Sequence, residues 1–561
     1  MCGYIFVSSR DQKIRPIDSK SLNHRGPDFT EEINLGWCGF RHWRLSIQDL
    51  TSCSNQPYSR GNDYLIYNGE IYDYYNLGLF HFSEKFDSDT QLLFHTLKNR
   101  AFDLIRKESG FYSFVFVNEK QKQIFAARDY FGKKPLYYYF DNDLLIVASE
   151  DTAVRNIARE YGKSVGLNAA SIVNYLRYKD LHYGLTFHEG VLELPPGSTF
   201  DFNFEKWQFS ASSTWEEYYC SKPFYKEEIT YKNLSEDSTA KLKQSLINSI
   251  EKRFAADVPI QLALSGGVDS TLVAMVANNK KKEFERTLTV SSSSRPSELI
   301  KSEVTCEKFH LSQKVIDFDG IDVLDMLGKC ISAQGGPLSH PHALAVFALT
   351  REAANNGKVL VTGEGADELL YGYDHYKNND STFAFLEHIV PSNYFDMKSS
   401  KKKYSLHDFP LNKYLENNDY RDLDVKTHLL SLLRRNDRVS MQNSVEVRSA
   451  FLDYKLFQFV FRQQEKGSLS RGKDALVKII QDSYPDYKVD ENKIGFYIPF
   501  DEWFEAHGKK DLLVIKYIGN AKKFFKFNFG WMLKNSVDVK GKLAWALLNI
   551  GLFLELDGEF K

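Results

Sequence analysis

Six cysteines are scattered through the 561 residues, with no C-x-x-C pair and no Cys/His ligand cluster. That spacing argues against a disulfide scaffold and against structural zinc. An excess of charge of either sign is also missing. The chain carries 72 Lys and Arg against 74 Asp and Glu, a formal net charge of −2. No broad field therefore favours nucleic acid or an anionic membrane. Long hydrophobic runs are lacking as well. The apolar run after Cys2 is soon broken by Ser, Arg and Asp, unlike a secretory signal. The most apolar late stretch, 543–556, is too short to span a bilayer and reads as a buried C-terminal helix. Internal repeats and low-complexity tracts are absent. These absences lead to the expectation of a cytoplasmic protein in a reducing compartment, with no nucleic-acid or membrane partner.

What is there is ordinary globular composition, 43% hydrophobic and 26% charged. The length exceeds what one core supports and predicts about two to four domains. Up to about residue 210, short apolar runs at 3–7, 64–67, 111–117, 124–127 and 144–148 are separated by Gly, Asn and Asp. They read as strands of a β-rich layered domain, with a turn at Pro195-Pro196-Gly197 near its end. Residues 211–237 lose periodicity and suit a linker. Beyond it, an amphipathic helix at 241–254 precedes a strand at 260–264, and strands at 287–290 and 359–362 alternate with helices. That alternation predicts a parallel sheet covered on both faces. The basic run 398–403 reads as a solvated loop.

Chemistry concentrates at three places. Cys2 would carry both a thiol and a free α-amino group once Met1 is removed. An α-amino group titrates at about 7.7–8.0 and a thiol at about 8.5, so the amine can act as base for its own side chain. Ser265-Gly266-Gly267-Val268-Asp269-Ser270 joins the strand at 260–264 to a helix at 271–277. Its glycines let the backbone approach an anion, and the helix start supplies N–H donors. Asp269 would repel a bare phosphate, which implies a bridging Mg²⁺. The loop lacks the Gly-Lys-Ser/Thr ending that serves γ-phosphoryl transfer. Gly363-Glu364-Gly365-Ala366-Asp367-Glu368 is a second acidic turn after the strand 359–362. Successive parallel strands deliver both turns to one rim, where Asp269 and Asp367 can share the metal across a pyrophosphate.

Cys2 at one end and these loops at the other resemble the glutamine-dependent asparagine synthetase family, over about residues 2–560. Further matching motifs are Arg25-Gly26-Pro27-Asp28, Arg44-Leu45-Ser46-Ile47, Asn68-Gly69-Glu70-Ile71-Tyr72, Ser88-Asp89 and the stretch from Arg128 to Tyr137. Later come Asp437-Arg438-Val439-Ser440-Met441, Glu446-Val447-Arg448, Phe451-Leu452-Asp453 and Lys493-Ile494-Gly495-Phe496 before Pro499. The resemblance implies α/β and α+β architecture. A four-layered αββα N-terminal-nucleophile hydrolase domain, a class II glutamine amidotransferase at 2–212, is followed by a linker at 213–236. A doubly wound parallel-sheet ATP-pyrophosphatase domain occupies 237–561. It also implies roles. Cys2 resembles the nucleophile, Asn68 and Gly69 the oxyanion hole, Arg44 the holder of the glutamine carboxylate, and Glu70 and Asp89 the receivers of its α-ammonium. Taken alone, Asn68-Gly69 also reads as a hairpin turn. Leu264, Ser265, Gly266, Gly267, Asp269, Ser270, Val290, Thr362 and Gly363 stand at the family's ATP positions, and Asp269 and Asp367 at its Mg²⁺ ligands. Glu364 resembles the acid beside the acyl-adenylate, and Lys493 the cation on the phosphates.

The implied reaction is a carbon–nitrogen ligation fed by glutamine and ATP. An acyl-adenylate forms, ammonia crosses a shielded passage between the domains, and an amide results, with aspartate the leading acceptor. The resemblance leaves room for a homodimer. Gln334-Gly335-Gly336-Pro337-Leu338-Ser339-His340-Pro341-His342 departs from the family, many members of which carry Asp-Glu before the proline. His340 and His342 stand near where an arginine helps to hold aspartate. A second expectation is therefore amidation of another carboxylate, such as a sugar acid, a peptide or a secondary metabolite. A third, a bare glutaminase or an inactive regulator, would show decay of Asp269, Asp367 or the glycine turns, and none is seen.

Overall fold

Strand Gly3–Ser9 is buried along its whole length, which requires cover on both faces. The computed structural model supplies that cover. It describes residues 2–106, 108, 110–182, 184–220, 236–279, 284–293, 296–370, 372–373, 420–463, 473–488, 498, 500–505, 511–525 and 539–558. Lys493, its Gly-Phe motif and the basic run 398–403 lie outside the described residues. Gly3–Ser9 sits between Leu144–Ala148 and Cys38–Arg44 in a six-stranded antiparallel sheet. A second six-stranded antiparallel sheet centres on Gln123–Arg128, Gly110–Asn118 and Asp63–Ile71. Their facing sides bury Tyr4, Phe6, Phe40, Ile66, Val115, Val147 and Phe200. The helix Asp151–Glu160 lays Val154 and Ile157 over the outer side of the first sheet. Asp89–Lys98 lays Leu92 and Leu93 over the second. The result is the expected αββα sandwich. Asn68 and Gly69 lie within the strand Asp63–Ile71, paired with Ser113 and Tyr112, and do not form a hairpin turn.

The second half is built on five parallel strands in the order Gln313–Asp317, Phe284–Ser291, Ile260–Ala263, Val359–Thr362, Glu446–Ser449. Alternation along a strand sends Val359 and Val361 to one apolar layer and Leu360 to the other. Helices Glu236–Lys252 and Val268–Asn278 cover the first face, and Val323–Gln334, His342–Ala353 and Val539–Leu556 the second. The strand order reverses between Ile260–Ala263 and Val359–Thr362, so the two candidate loops leave adjacent strand ends at the switch point. The segment read as linker contains a short helix, Trp215–Cys220. Its Trp215 packs on Leu430 and donates Nε1–H to Glu193 O at 2.7 Å, and Tyr218 packs on the same cluster. Val539–Leu556 is the expected buried C-terminal helix. Among the described residues no helix is long and apolar enough to cross a membrane.

Buried charge joins the halves. Arg25 bridges Glu150 at 3.1 Å and Asp437 at 2.9 Å, and Arg438 reaches Asp151 at 3.0 Å and Glu150 at 3.7 Å. All five side chains are buried. Removing one partner of such a cluster strands the others' charge. Arg438→Met should therefore cost about 3–5 kcal/mol. Calorimetry should record a lower first thermal transition, whereas the exposed i,i+4 pair mutant Lys329→Met should leave it in place.

Candidate functional site

Cys2 immediately precedes the first strand with its thiol buried, and burial pushes that thiol above its usual range. The Cys2 backbone N–H donates to Asn68 Oδ1 at 2.9 Å. Asn68 Nδ2 is buried without a hydrogen-bond partner. An orphaned donor of this kind is costly unless something else uses it. Gly69 leaves no room for a side chain, because a Cβ there would strike Phe111 O. Glu70 Oε2 is held by Gln48 Nε2, and Oε1 lies 3.7 Å from Arg448 Nη2 on the other half. Burial first, then the Glu446 carboxylate, raise Glu70 above the usual carboxylate range, against the pull of Arg448. Asp89 Oδ2 accepts from Tyr67 OH at 3.0 Å and Ile71 N at 3.1 Å. Arg44 is buried, and its guanidinium donates to Thr51 O at 2.6 Å, Asn55 Oδ1 at 2.7 Å and Asp49 O. Its fork is thus engaged by the loop 49–55.

In the second half, Leu264 leads from the strand into a loop whose hydroxyls are locally bonded. Ser265 Oγ and Ser270 Oγ lie 3.2 Å apart, and Ser270 Oγ donates to Gly267 O at 3.1 Å. Gly266 has φ +73°, and a Cβ there would collide with Lys301. Gly363 abuts Asp269, Val290 is buried in the neighbouring strand, and Thr362 Oγ1 is buried without a partner. Asp269 and Asp367 both reach a cation that the sequence reading missed: Lys473 Nζ lies 2.6 Å from Asp269 and 2.8 Å from Asp367. The two carboxylates raise the Lys473 pKa despite burial. A lysine opening a helix carries no motif, so only the fold could reveal it.

Glu364 accepts from Arg435 Nη2 at 2.6 Å and from Asn436 Nδ2, both on the helix His428–Met441. Beside it, the His340 ring lies 6.1 Å from His342 and 6.0 Å from His428, and Tyr373 lies 5.7 Å from His428. Burial pushes His340 well down, so it is neutral. The unusual Gly335-Gly336 has a packing cause. Gly335 caps the helix Val323–Gln334 at φ +72° against Asp151 and Arg438, and a Cβ on Gly336 would enter the Phe187 ring. The two halves meet here too closely for the Asp-Glu seen elsewhere.

A buried thiol at a chain start and an ATP loop on a parallel sheet define a glutamine-dependent ligase that uses ATP. Residues 1–216 match the glutamine amidotransferase domain model, and residues 241–516 the asparagine synthase model. The chain is 25% identical to "Asparagine synthetase [glutamine-hydrolyzing] 1" of Bacillus subtilis, covering 90% of this chain and 88% of that one. A putative glutamine-hydrolysing asparagine synthetase of Methanocaldococcus jannaschii is 24% identical, over 64% of this chain and 72% of that one. "Amidase chry2" of Gibberella zeae is 28% identical, over 64% and 54%. The chain belongs to the glutamine-dependent asparagine synthetase family.

Because Gly266 combines positive φ with backbone contact, Gly266→Ala should strain the loop by about 1–3 kcal/mol. The thermal stabilisation that ATP confers should disappear in this variant, while hydrolysis of glutamine continues.

Proposed function

We propose that the chain amidates a carboxylate through an acyl-adenylate, with aspartate as acceptor and asparagine, AMP, pyrophosphate and glutamate as products. Residues 2–212 act as glutaminase and 237–561 as synthetase, with 213–236 between them. The observation that carries the reading is the Asn68 amide. Its oxygen holds the Cys2 nitrogen at 2.9 Å while its buried Nδ2 has no hydrogen-bond partner among the described residues.

With Met1 removed, the Cys2 α-amine takes the thiol proton, and Sγ attacks the glutamine side-chain carbonyl carbon. Asn68 Nδ2 and the Gly69 N–H stabilise the resulting oxyanion. The C–N bond breaks, ammonia leaves with that proton, and water later cleaves the thioester to glutamate. Glu70 and Asp89 receive the substrate's α-ammonium. Arg44 holds its carboxylate once the fork turns from the 49–55 loop.

In the synthetase, an acceptor carboxylate oxygen attacks the α-phosphorus of ATP and pyrophosphate departs. Leu264, Val290 and Gly363 pack the adenosine, with Thr362 Oγ1 a free hydroxyl beside it. The 265–270 loop and Lys493 hold phosphate oxygens. Asp269 and Asp367 fit Mg²⁺, since two carboxylates already share one cation, and Mg²⁺ usually takes one or two carboxylates plus substrate phosphates. Bound there, it would neutralise phosphate charge. Ammonia attacks the acyl carbon, AMP leaves, and Glu364 accepts the proton. A second reading, another carboxylate as acceptor, is favoured by the histidine cluster beside Glu364 and the missing Asp-Glu.

The decisive assay supplies glutamine, ATP, Mg²⁺ and a panel of carboxylates, with products followed by mass spectrometry. Asparagine should appear from aspartate. Its absence alongside amidation of another acid would overturn the leading reading. Cys2→Ala should abolish glutamine-supported synthesis and keep synthesis from added ammonia, and loss of both would overturn the two-site scheme. A pH effect accompanies Glu70. An ordinary glutamate is fully ionised by about pH 6. Glu70, raised above that range, loses its proton later, so kcat/KM for glutamine should keep rising above pH 6 as the anion that binds the α-ammonium forms. A profile flat from pH 6 to 8.5 would contradict this.

A further inference from the structure

A cleft of about 300 Å³ opens along the seam between the halves, and none of its lining residues belongs to either candidate site. Its volume is at the small end of ligand pockets, enough for a metabolite and too little for a dinucleotide. Lys455 Nζ and Glu108 Oε2 cross the seam at 2.6 Å, and the lysine is 61% exposed. Lys252 adds a second cation and Asp73 a second acid. Beside these charges the chain exposes apolar surface. Phe80 is 83% exposed, the extreme among large apolar residues here, and Leu77 lies one turn earlier on the same helix, Tyr74–Phe82. His81 lines the same cleft. The site therefore offers cations, acids and an aromatic wall within a volume the size of one small metabolite.

We propose that this cleft binds a free α-amino acid with an apolar side chain. Its carboxylate would meet Lys455 and Lys252, its ammonium Glu108 and Asp73, and its side chain Phe80 and Leu77. Lys455 and Glu108 already answer each other, and Lys252 lies 3.6 Å from Asp453. A ligand with one charge would therefore take one partner of the Lys455–Glu108 pair and strand the other, whereas a zwitterion replaces both contacts. A polar side chain leaves Phe80 in water. The floor of the cleft is Tyr72, whose ring lies 4.5 Å from the Arg253 guanidinium and 5.3 Å from that of Arg448. Arg448 in turn faces Glu70 at 3.7 Å. Occupancy thus bears on the glutamine site through two contacts. This coupling rests on the reading of Glu70 above, whereas the binding does not.

The test is isothermal titration of the full chain, saturated with glutamine, with L-phenylalanine. Phenylpropionate and phenethylamine serve as single-charge controls. L-Phenylalanine should bind at least about tenfold more tightly than either control, the effect of one lost charge-assisted contact. Phe80→Ala and Lys455→Met should each weaken it by a similar factor, with glutaminase activity in the absence of the ligand unchanged. Saturating L-phenylalanine should also shift the KM for glutamine at least about twofold, a coupling of well under 1 kcal/mol, and Phe80→Ala should abolish the shift. No heat, equal binding of a control, or unaltered binding in both variants overturns the site. Binding with an unchanged KM overturns the coupling and leaves the site standing.

Discussion

Charge buried at the seam between the halves is the constraint on which the rest of the molecule depends. An ion taken out of water is tolerated only when it is paired and hydrogen-bonded. The edge strand Glu446–Ser449 carries Glu446 and Arg448, both fully buried; they pair with each other at 2.6 Å, and each also reaches a charge on the other half. Lys134 Nζ reaches Glu446 at 3.2 Å, and Lys133 Nζ reaches Ser449 Oγ at 3.0 Å. Arg434, one turn before Arg438, pairs with Glu193 at 2.7 Å and Asp180 at 2.9 Å. Pulling the halves apart would expose these groups one-sidedly, so the docked arrangement is set by electrostatics as much as by apolar contact.

The same charges connect the two chemistries. From Glu70 the line runs to Arg448, then to Glu446 at 2.6 Å, then to Lys134. Glu446–Ser449 pairs with Val359–Thr362, the strand that ends in Gly363 and Glu364, with Ser449 opposite Thr362. The two candidate sites are thereby anchored to neighbouring strands of one sheet. Lys133 is pushed down to about 8, mainly by burial and then by adjacent Lys134. It is a cation with little margin in a dry layer, where a neutral amine is the alternative. Interactions of this kind are strong because water is excluded, and for that reason they tolerate little displacement.

Much of this was legible in the sequence where function and backbone geometry coincide. The strands Leu144–Ala148 and Val359–Thr362 could be read from apolar runs between turn residues, and the Ser265–Ser270 turn from its glycines and acid. Other features were not legible because their cause lies far away in the chain. Glu446-Val447-Arg448 has the alternation of a short strand with charged residues at its ends. It reads as exposed until Lys134 and Glu70, more than 300 residues earlier, are brought to it. Asn68-Gly69 carries the local preference of a turn, which sheet pairing with Ser113 and Tyr112 overrides. Trp215 gave no periodic signal because a six-residue helix is too short to show one.

Gly335-Gly336 shows how packing can rewrite a binding segment without touching a ligand. The helix Val323–Gln334 ends against the glutaminase half, and its left-handed cap brings the backbone onto Asp151, Arg438 and the Phe187 ring. Acidic side chains at these two positions would have no space and would add charge beside Glu150, Asp151 and Asp437. The docking of the halves therefore excludes the acids at that point. Close by stand His340, His342 and His428, with Arg435 near them. Burial keeps His340 neutral, which leaves Arg435 as the fixed cation next to Glu364. The geometry that seals the seam thus also decides which side chains an acceptor would meet.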